Sequence, residues 1–130
     1  MNLFIYIQIT NEPQEVKFQN PIAAFLEQPN HNLYLYDLDN HSDSFIIGNA
    51  NKLIADSEKA IVYIETTPEG NFRNLVPLLT NFLDNPDHIQ FIVQGNSPRL
   101  EKMLSILTYI KIPENTPTNH SIETIIKQFF

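Results

Sequence analysis

The chain has 130 residues, of which 42% are hydrophobic and 18% charged, and these values fit one globular domain with a core of its own. Eight Lys and Arg against fifteen Asp and Glu give a net charge of -7, which argues against binding to nucleic acids or anionic membranes. The absence of cysteine excludes disulfides, thiolate metal sites and cysteine nucleophiles.

The first thirty residues are predicted to form an N-terminal extension made of a hairpin and a short helix. Residues 3–9 have the apolar character of a strand, residues 10–13 are typical of a turn, and residues 16–18 alternate like a second strand. The proline after Asn20 favours the start of a short helix that ends before Pro29. The start of the chain has no basic segment and no small-residue cleavage site, so we expect no signal peptide.

Three further strands are predicted at near-constant spacing. Runs of β-branched and aromatic residues begin at Leu33, Ile61 and Ile89, about 28 residues apart, which suits a repeat of strand and helix. The segments between them carry apolar residues at helical spacing. We therefore expect an α/β fold in a single domain over residues 1–130, with residues 31–130 as its core. Its sheet of about five strands would be mixed but mostly parallel, with an antiparallel N-terminal edge and helices packed on it.

Local signals predict where the later helices begin. Asn71 is a candidate cap, and Pro77 close behind it predicts a kink or a late start. Ser97-Pro98 is typical of a helix start, with a hydroxyl cap followed by proline at the first helical position. Residues 109–112 are predicted to form a short edge strand.

The order of these features from about residue 33 to residue 130 resembles the STAS domain, the fold of bacterial anti-sigma factor antagonists. Residues 35–39 (LYDLD) are similar to the strand and turn that open the family's core, and residues 61–65 (IVYIE) to its central strand. Residues 91–98 look like the next strand and turn, and residues 121–123 precede a similar closing helix. The resemblance implies a STAS-like regulatory module, without enzymatic activity, that binds a partner protein through the loop after the central strand and the helix that follows.

Two positions depart from the family pattern. Tyr36 stands where the family has glycine, and residues 65–72 lack its Asp-Ser-Ser-Gly phosphorylation motif. The resemblance therefore implies an interaction role without the family's phosphoserine switch.

The loop after the central strand supplies the predicted partner-binding residues. Its two threonine hydroxyls are also candidate phosphorylation targets, since a phosphate is favoured ahead of a helix N-terminus. The alternative interpretation is an ordinary surface loop with a turn. The candidates are Thr66, Thr67, Glu69, Asn71 and Arg73.

Asp37 and Asp39 form the densest acidic pair and carry the main enzymatic alternative. Two carboxylates at a strand end suit Mg²⁺, and an apolar strand followed by Asp-x-Asp is similar to haloacid-dehalogenase-type phosphatases. That family also needs a later acidic pair, which residues 93–96 do not supply. The simpler interpretation is a solvated turn in which Asp39, Asn40 or Ser42 caps the next helix.

A second candidate site binds an anion after the strand that begins at Ile89. Asn96, Ser97 and Arg99 combine polar groups, a positive charge and a helix start. The alternative is a helix cap and a turn, since a phosphate-binding loop usually has more glycines.

The repeat of strand and helix also suits response-regulator receiver domains. Lys111-Ile112-Pro113 is similar to the Lys-Pro of that family. Its acidic groups after the first and third strands would have to be Glu12 and Glu65, and glutamate is a poor substitute for the phosphorylated aspartate. This second alternative is a degenerate receiver-like signalling domain.

These observations together predict a cytoplasmic protein that binds an unidentified protein partner. We expect no cofactor, no bound metal, no nucleic acid and no membrane partner, with either a monomer or a homodimer. Four scattered histidines show no helical metal-site spacing, so we expect no catalytic residue among them.

Overall fold

Five strands form one sheet in which every neighbouring pair is parallel. The structure, a computed structural model, describes residues 2–17, 33–84, 86–113 and 118–130. The strand order is β2-β1-β3-β4-β5, so the first strand lies inside the sheet. The strands are β1 (Asn2–Ile9), β2 (Leu33–Asp39), β3 (Lys59–Thr66), β4 (Ile89–Gln94) and β5 (Tyr109–Ile112).

Helices cover both faces of the sheet and divide the core into two layers. The first three helices bury their apolar side chains on one face, and the fourth packs on the other. No helix in the described ranges has the length and apolar character needed to cross a bilayer. The helices are α1 (Ser44–Asp56), α2 (Val76–Asp84), α3 (Pro98–Met103) and α4 (Thr118–Phe129), and single 3-10 turns lie at Pro13–Glu15, Arg73–Leu75, Pro86–His88 and Leu104–Ile106.

The predicted α/β fold, with about five strands and helices packed on the sheet, is therefore confirmed. The inner strands β1 and β3 are buried on both faces, which explains why they appear in the sequence as nearly continuous apolar runs. The edge strands are more exposed; in β2 only Leu38 is fully buried. Residues 109–112 form the edge strand that the sequence predicts.

The prediction of an antiparallel strand at the N-terminal edge of the sheet is wrong. β1 pairs in parallel with β2 on one side and with β3 on the other, so both of its hydrogen-bonding edges are already used. A hairpin partner from residues 16–18 would have no free edge to join, and Val16 and Lys17 form no strand. Phe18 and the helix predicted to begin at Asn20 lie outside the described residues.

Two helix starts differ in detail from the prediction. Asn71 accepts a hydrogen bond from Arg73 N, and a 3-10 turn then precedes α2, so the helix starts late as the nearby proline indicates. The residue that caps α1 is Asp43, whose carboxylate accepts from Ile46 N at 3.0 Å; the predicted caps were Asp39, Asn40 and Ser42. The reason is that the turn at residues 40–42 delays the helix by one or two residues.

The burial of α2 generates a stability prediction. Leu79 is fully buried among the first three helices and the sheet, so Leu79→Ala should lower the free energy of unfolding by about 2–5 kcal/mol. Thr80→Ala changes the exposed neighbour and should cost less than about 0.5 kcal/mol. Urea unfolding of both variants measures the difference, and equal losses would show that the helix faces the other way.

Candidate functional site

The strand order places the two main connections of the fold on either side of β1 and β3. The chain leaves β1 toward β2, and it leaves β3 toward β4 in the opposite direction. Doubly wound sheets bind ligands beside such a point, beyond the carboxyl ends of the strands. We call the edge of the sheet formed by the carboxyl ends of the strands the carboxyl edge. The loops after β1, β2, β3 and β4 all lie at this edge.

A buried asparagine closes the crevice at this point. The Asn40 side chain is 6% exposed and lies after β2. Its oxygen accepts from Thr10 N at 3.0 Å, while its nitrogen donates to Thr10 O and to Asn71 O, both at 2.8 Å. One amide thus joins the loops after β1, β2 and β3, which we call the loop junction.

The loop after β3 packs against the end of β1. Thr67 N donates to Ile9 O at 3.1 Å, and the Thr67 hydroxyl lies 3.2 Å from Asn11 Oδ1. A Cβ on Gly70 would lie 2.5 Å from Ile9 Cγ2, so only glycine fits there without displacing β1. The loop thus packs on the end of β1, and a cavity of about 510 Å3 remains beside the loop junction, lined by Asn11, Asn40, His41, Asn71, Arg73 and Asn74.

The two threonines predicted as partner-binding or phosphorylation residues belong to this packed region. Thr66 is 6% exposed, and its hydroxyl donates to Thr67 O at 3.0 Å. The hydroxyl of Thr67 is engaged with the end of β1. Both hydroxyls thus have hydrogen-bond partners within the chain.

A row of polar residues crosses the sheet just below the carboxyl edge. Gln8, Glu65 and Gln94 are register partners on β1, β3 and β4, and they share the face covered by α4. The two glutamines are not among the site residues predicted from the sequence. The signal that could have found them is the polar residue near the end of each apolar run, as in Tyr-Ile-Gln and Ile-Val-Gln.

Glu65 is the carboxylate at the centre of this row, and both of its oxygens are bound. Tyr6 donates its phenol hydrogen to Oε2 at 2.7 Å, and the Lys17 ammonium lies 2.8 Å from Oε1. Burial, and then the hydrogen bond to Glu65, raise the pKa of Tyr6 far above its usual range. The phenol therefore stays protonated and serves as a permanent donor to the carboxylate.

The neighbouring glutamines are also satisfied within the fold. The Gln8 side chain makes two hydrogen bonds of 2.8 Å with the backbone N–H and C=O of Lys17. Gln94 accepts from the Tyr63 hydroxyl. The polar row is therefore an internal network, and its groups would need to change partners before they could act on a substrate.

Lys111, the cation expected near a receiver-type site, does not bind Glu65 but makes its contacts with α3 and the loop after β4. Its ammonium binds the Glu101 carboxylate at 2.5 Å and also donates to Gly95 O. Gly95 N in turn donates to Ile112 O at 3.2 Å. Lys111 thus fastens the loop after β4 to β5, while the cation beside Glu65 is Lys17.

Glu12, which the receiver-like hypothesis pairs with Glu65, takes part in a different contact. Its backbone N–H donates to Glu15 Oε1 at 2.8 Å, which closes the 3-10 turn after β1. The hydrogen bonds of Glu12 are thus local, while those of Glu65 join β1 and residue 17.

Asp37 and Asp39 lie on one face of β2, as residues two apart in a strand must. The Asp39 carboxylate accepts from His41 N at 2.7 Å, so part of its capacity goes to the following turn. Among the described residues no group of three or more histidines and carboxylates could hold a metal ion. Within the described ranges, the pair therefore gains no third carboxylate or histidine from the fold.

A threonine and a histidine also meet at the loop junction, with Thr10 Oγ1 and His41 Nε2 3.0 Å apart. The Thr10 hydroxyl also lies 3.0 Å from Glu12 O, which can accept its hydrogen. The contact between Thr10 and His41 joins the loops after β1 and β2.

The open part of the carboxyl edge is a groove between the loops after β3 and β4. It has a volume of about 670 Å3 and brings together the two sets of site residues that are separate in the sequence. Asn96, the third member of the predicted anion site, is exposed beside it. The residues that line this groove, the edge groove, include Glu69, Asn71, Arg73, Val76, Ser97 and Arg99.

Ser97 is the buried polar residue of the edge groove. It occupies the capping position before Pro98, as the sequence predicts, but its hydroxyl makes no capping hydrogen bond to α3. Its side chain is only 2% exposed. The predicted hydroxyl cap is therefore wrong, and the reason is the direction of the side chain, which the Ser-Pro pattern does not determine.

The loop junction generates a testable prediction. Asn40→Ala removes an amide that satisfies Thr10 N, Thr10 O and Asn71 O, and should cost about 2–3 kcal/mol in the free energy of unfolding. Asn74→Ala is the control, because its 3.4 Å hydrogen bond is exposed. Denaturant unfolding measures both variants, and faster hydrogen exchange at Thr10 N should accompany the first. An equally small loss in the free energy of unfolding for both variants would contradict the role of Asn40 in the loop junction.

The two helix starts generate a matched pair of predictions. Asp43→Ala removes a capping bond and should cost about 1 kcal/mol, within a range of about 0.5–2. Ser97→Ala removes no capping bond and should change the free energy of unfolding by less than about 0.5 kcal/mol. Thermal and urea unfolding distinguish the two. A Ser97 loss as large as that of Asp43 would mean that the serine hydroxyl stabilises α3.

Comparisons with protein-family models, with curated proteins and with solved structures find no match to this chain. The strand order and the groups that it brings to the carboxyl edge are therefore the basis for a functional proposal.

Proposed function

We propose that this chain is a regulatory module without enzymatic activity, which binds a partner protein through the edge groove and the start of α2. Its sheet is of the flavodoxin-like type that receiver domains share, so we regard it as a degenerate receiver-like signalling domain. The observation that carries the proposal is the state of Glu65. The carboxylate at the end of the central strand is already bound to Tyr6 and Lys17.

Several features argue against phosphoryl transfer at this position. The nucleophile of a phosphoryl-accepting site must approach phosphorus with a free oxygen, and both oxygens of Glu65 accept hydrogen bonds. Stabilisation of the transferred group needs cations aimed at it, and Lys111 is bound to Glu101. A sheet of this type that has lost its chemistry retains its loops as a binding surface.

A magnesium-dependent phosphatase and a STAS-like fold have less support. The phosphatase would use Asp37 and Asp39, and the described residues provide no third carboxylate or histidine beside them. The STAS-like hypothesis included an antiparallel strand at the N-terminal edge, whereas β1 lies inside a parallel sheet. The partner-binding role proposed from that resemblance is retained here, on the same loop and the following helix.

The proposed contact surface combines polar and apolar groups. Arg73 and Glu69 are exposed, and Val76 at the start of α2 is 37% exposed although the rest of the helix buries its large apolar residues. Phe72 is partly buried next to them. A mixed surface of this kind is typical of interfaces that form and dissociate.

Substitutions at the start of α2 test the partner-binding role. The tagged full-length chain is incubated with extract of its native cells, and bound proteins are identified by mass spectrometry. A partner of the edge groove should be retained by the unchanged chain and by Thr80→Asp, and lost with Val76→Asp. Thr80 is an exposed residue of the same helix outside the groove, so the control adds the same charge.

A phosphoryl donor tests the absence of chemistry in the same preparation. Incubation with acetyl phosphate and Mg²⁺ should leave the intact mass unchanged, because the contacts with Tyr6 and Lys17 lower the nucleophilicity of the Glu65 carboxylate. In the capture experiment, retention of the same proteins by Val76→Asp and by Thr80→Asp would contradict the proposed binding site. A stoichiometric gain of one phosphoryl group would contradict the non-enzymatic assignment.

A further inference from the structure

The end of β3 and the loop after β4 are in close contact next to the edge groove. Gly95 has a φ of 95°, and a Cβ at this position would lie 2.1 Å from Thr66 O. The two loops can approach this closely only because residue 95 has no side chain. Their outer parts then diverge and leave the groove between residues 68–76 and 97–99.

Both arginines of the chain line this groove. The sequence has eight cationic residues in all, and only Arg73 and Arg99 carry the planar guanidinium that suits carboxylates and phosphates. Both side chains are exposed, and within the described parts of the chain neither guanidinium has a hydrogen bond or an ion pair. By contrast, Lys17 and Lys111 each bind a carboxylate.

The position of this positive charge is unexpected for a chain with a net charge of -7. A groove lined by two guanidinium groups without carboxylate partners among the described residues favours an anion. Glu69 is the one carboxylate among the residues that line the edge groove, and no hydrogen bond or ion pair joins it to either arginine in the described ranges.

Ser97 provides an independent indication of a ligand. Its side chain, only 2% exposed, lines the groove and makes no hydrogen bond with any other described residue. A buried hydroxyl usually has a partner. Since no buried side-chain atom of the described residues is both unpartnered and fully shielded, the hydroxyl is reachable from the groove.

We propose that the edge groove binds one anionic group, a carboxylate or a phosphate, carried by an acidic segment of the partner protein. Arg73 and Arg99 donate N–H groups from two sides, and the Ser97 hydroxyl donates its hydrogen. This inference rests on the proposed partner-binding function and names the chemistry of the partner. Exposed apolar surface at Val76 and Pro98 contacts the side chains that flank the anion.

A peptide segment fits better than a nucleic acid. The groove accommodates one anionic group between two arginines, whereas a polyanion would extend over a surface with an excess of carboxylates. A segment with one anion among apolar residues presents less charge to that surface.

Three small probes test the proposal with the full chain labelled with ¹⁵N. The probes are phosphoserine, glutamate and glutamine, each blocked as the N-acetyl N-methylamide. Titration with the two anionic probes should shift the resonances of Arg73, Ser97 and Arg99, including the arginine side chains, and the glutamine probe should not. A response to phosphoserine alone assigns a phosphorylated segment, and a response to both assigns any acidic segment.

Variants then relate the response to the proposed donors. Arg73→Gln and Arg99→Gln should each weaken binding about tenfold, since each removes a charged donor, and Ser97→Ala should weaken it about fivefold. Lys52→Gln is the matched control, because it makes the same change in net charge. Lys52 is an exposed residue of α1 toward the opposite edge of the sheet, so its substitution should alter binding by less than about twofold. Glu69→Gln should strengthen binding.

Three outcomes overturn the inference: equal shifts with the glutamine probe, no shifts at the groove residues, or a loss with Lys52→Gln as large as with the arginine variants. These results separate the inference from the proposed function. If Val76→Asp abolishes partner capture while the anionic probes leave Arg73 and Arg99 unaffected, the partner site stands and the anion inference fails.

Discussion

The carboxyl edge of this protein depends on the amide of Asn40. A parallel sheet with the order 2-1-3-4-5 opens a crevice where the connections diverge, and the loops around it need a common partner to pack. Asn40 supplies one, because an amide can donate and accept at once and so joins three loops without leaving a buried polar group unpaired. A cavity remains beside this amide, and a larger groove lies one strand further along, between the loops after β3 and β4.

The same edge shows how polar groups at strand ends can be satisfied within a fold. The polar row has the carboxylate and amide groups that a reactive site uses. Each is matched to a partner inside the protein: Glu65 to Tyr6 and Lys17, and Gln8 to the backbone of Lys17. These bonds join β3 and residue 17 to β1 and so hold the loops together. Among the described residues, the two arginines at the surface have no such partners.

Charge distribution connects the proposed function to the composition. An excess of carboxylates disfavours polyanions, while the two arginines of the edge groove would attract one anionic group at short range under the proposal. Because these interactions act between exposed charges, they are screened by salt, and binding of this kind is readily reversible. Reversibility suits a regulatory module, whose partner must be released as well as bound.

The sequence by itself determined the class of the fold: buried strands at three regular positions, helices between them and one edge strand near the end. These are local patterns, set by the period of apolar residues and by the length that a parallel crossover needs. The late start of α2 was likewise visible in the position of Pro77. Only the tertiary structure decided that β1 lies inside the sheet, because pairing between strands is a contact between distant residues and leaves no local period. It alone brought Arg73 and Arg99 to one groove and left the Ser97 hydroxyl without a capping hydrogen bond to its helix, since both follow from how two loops pack on the end of the sheet.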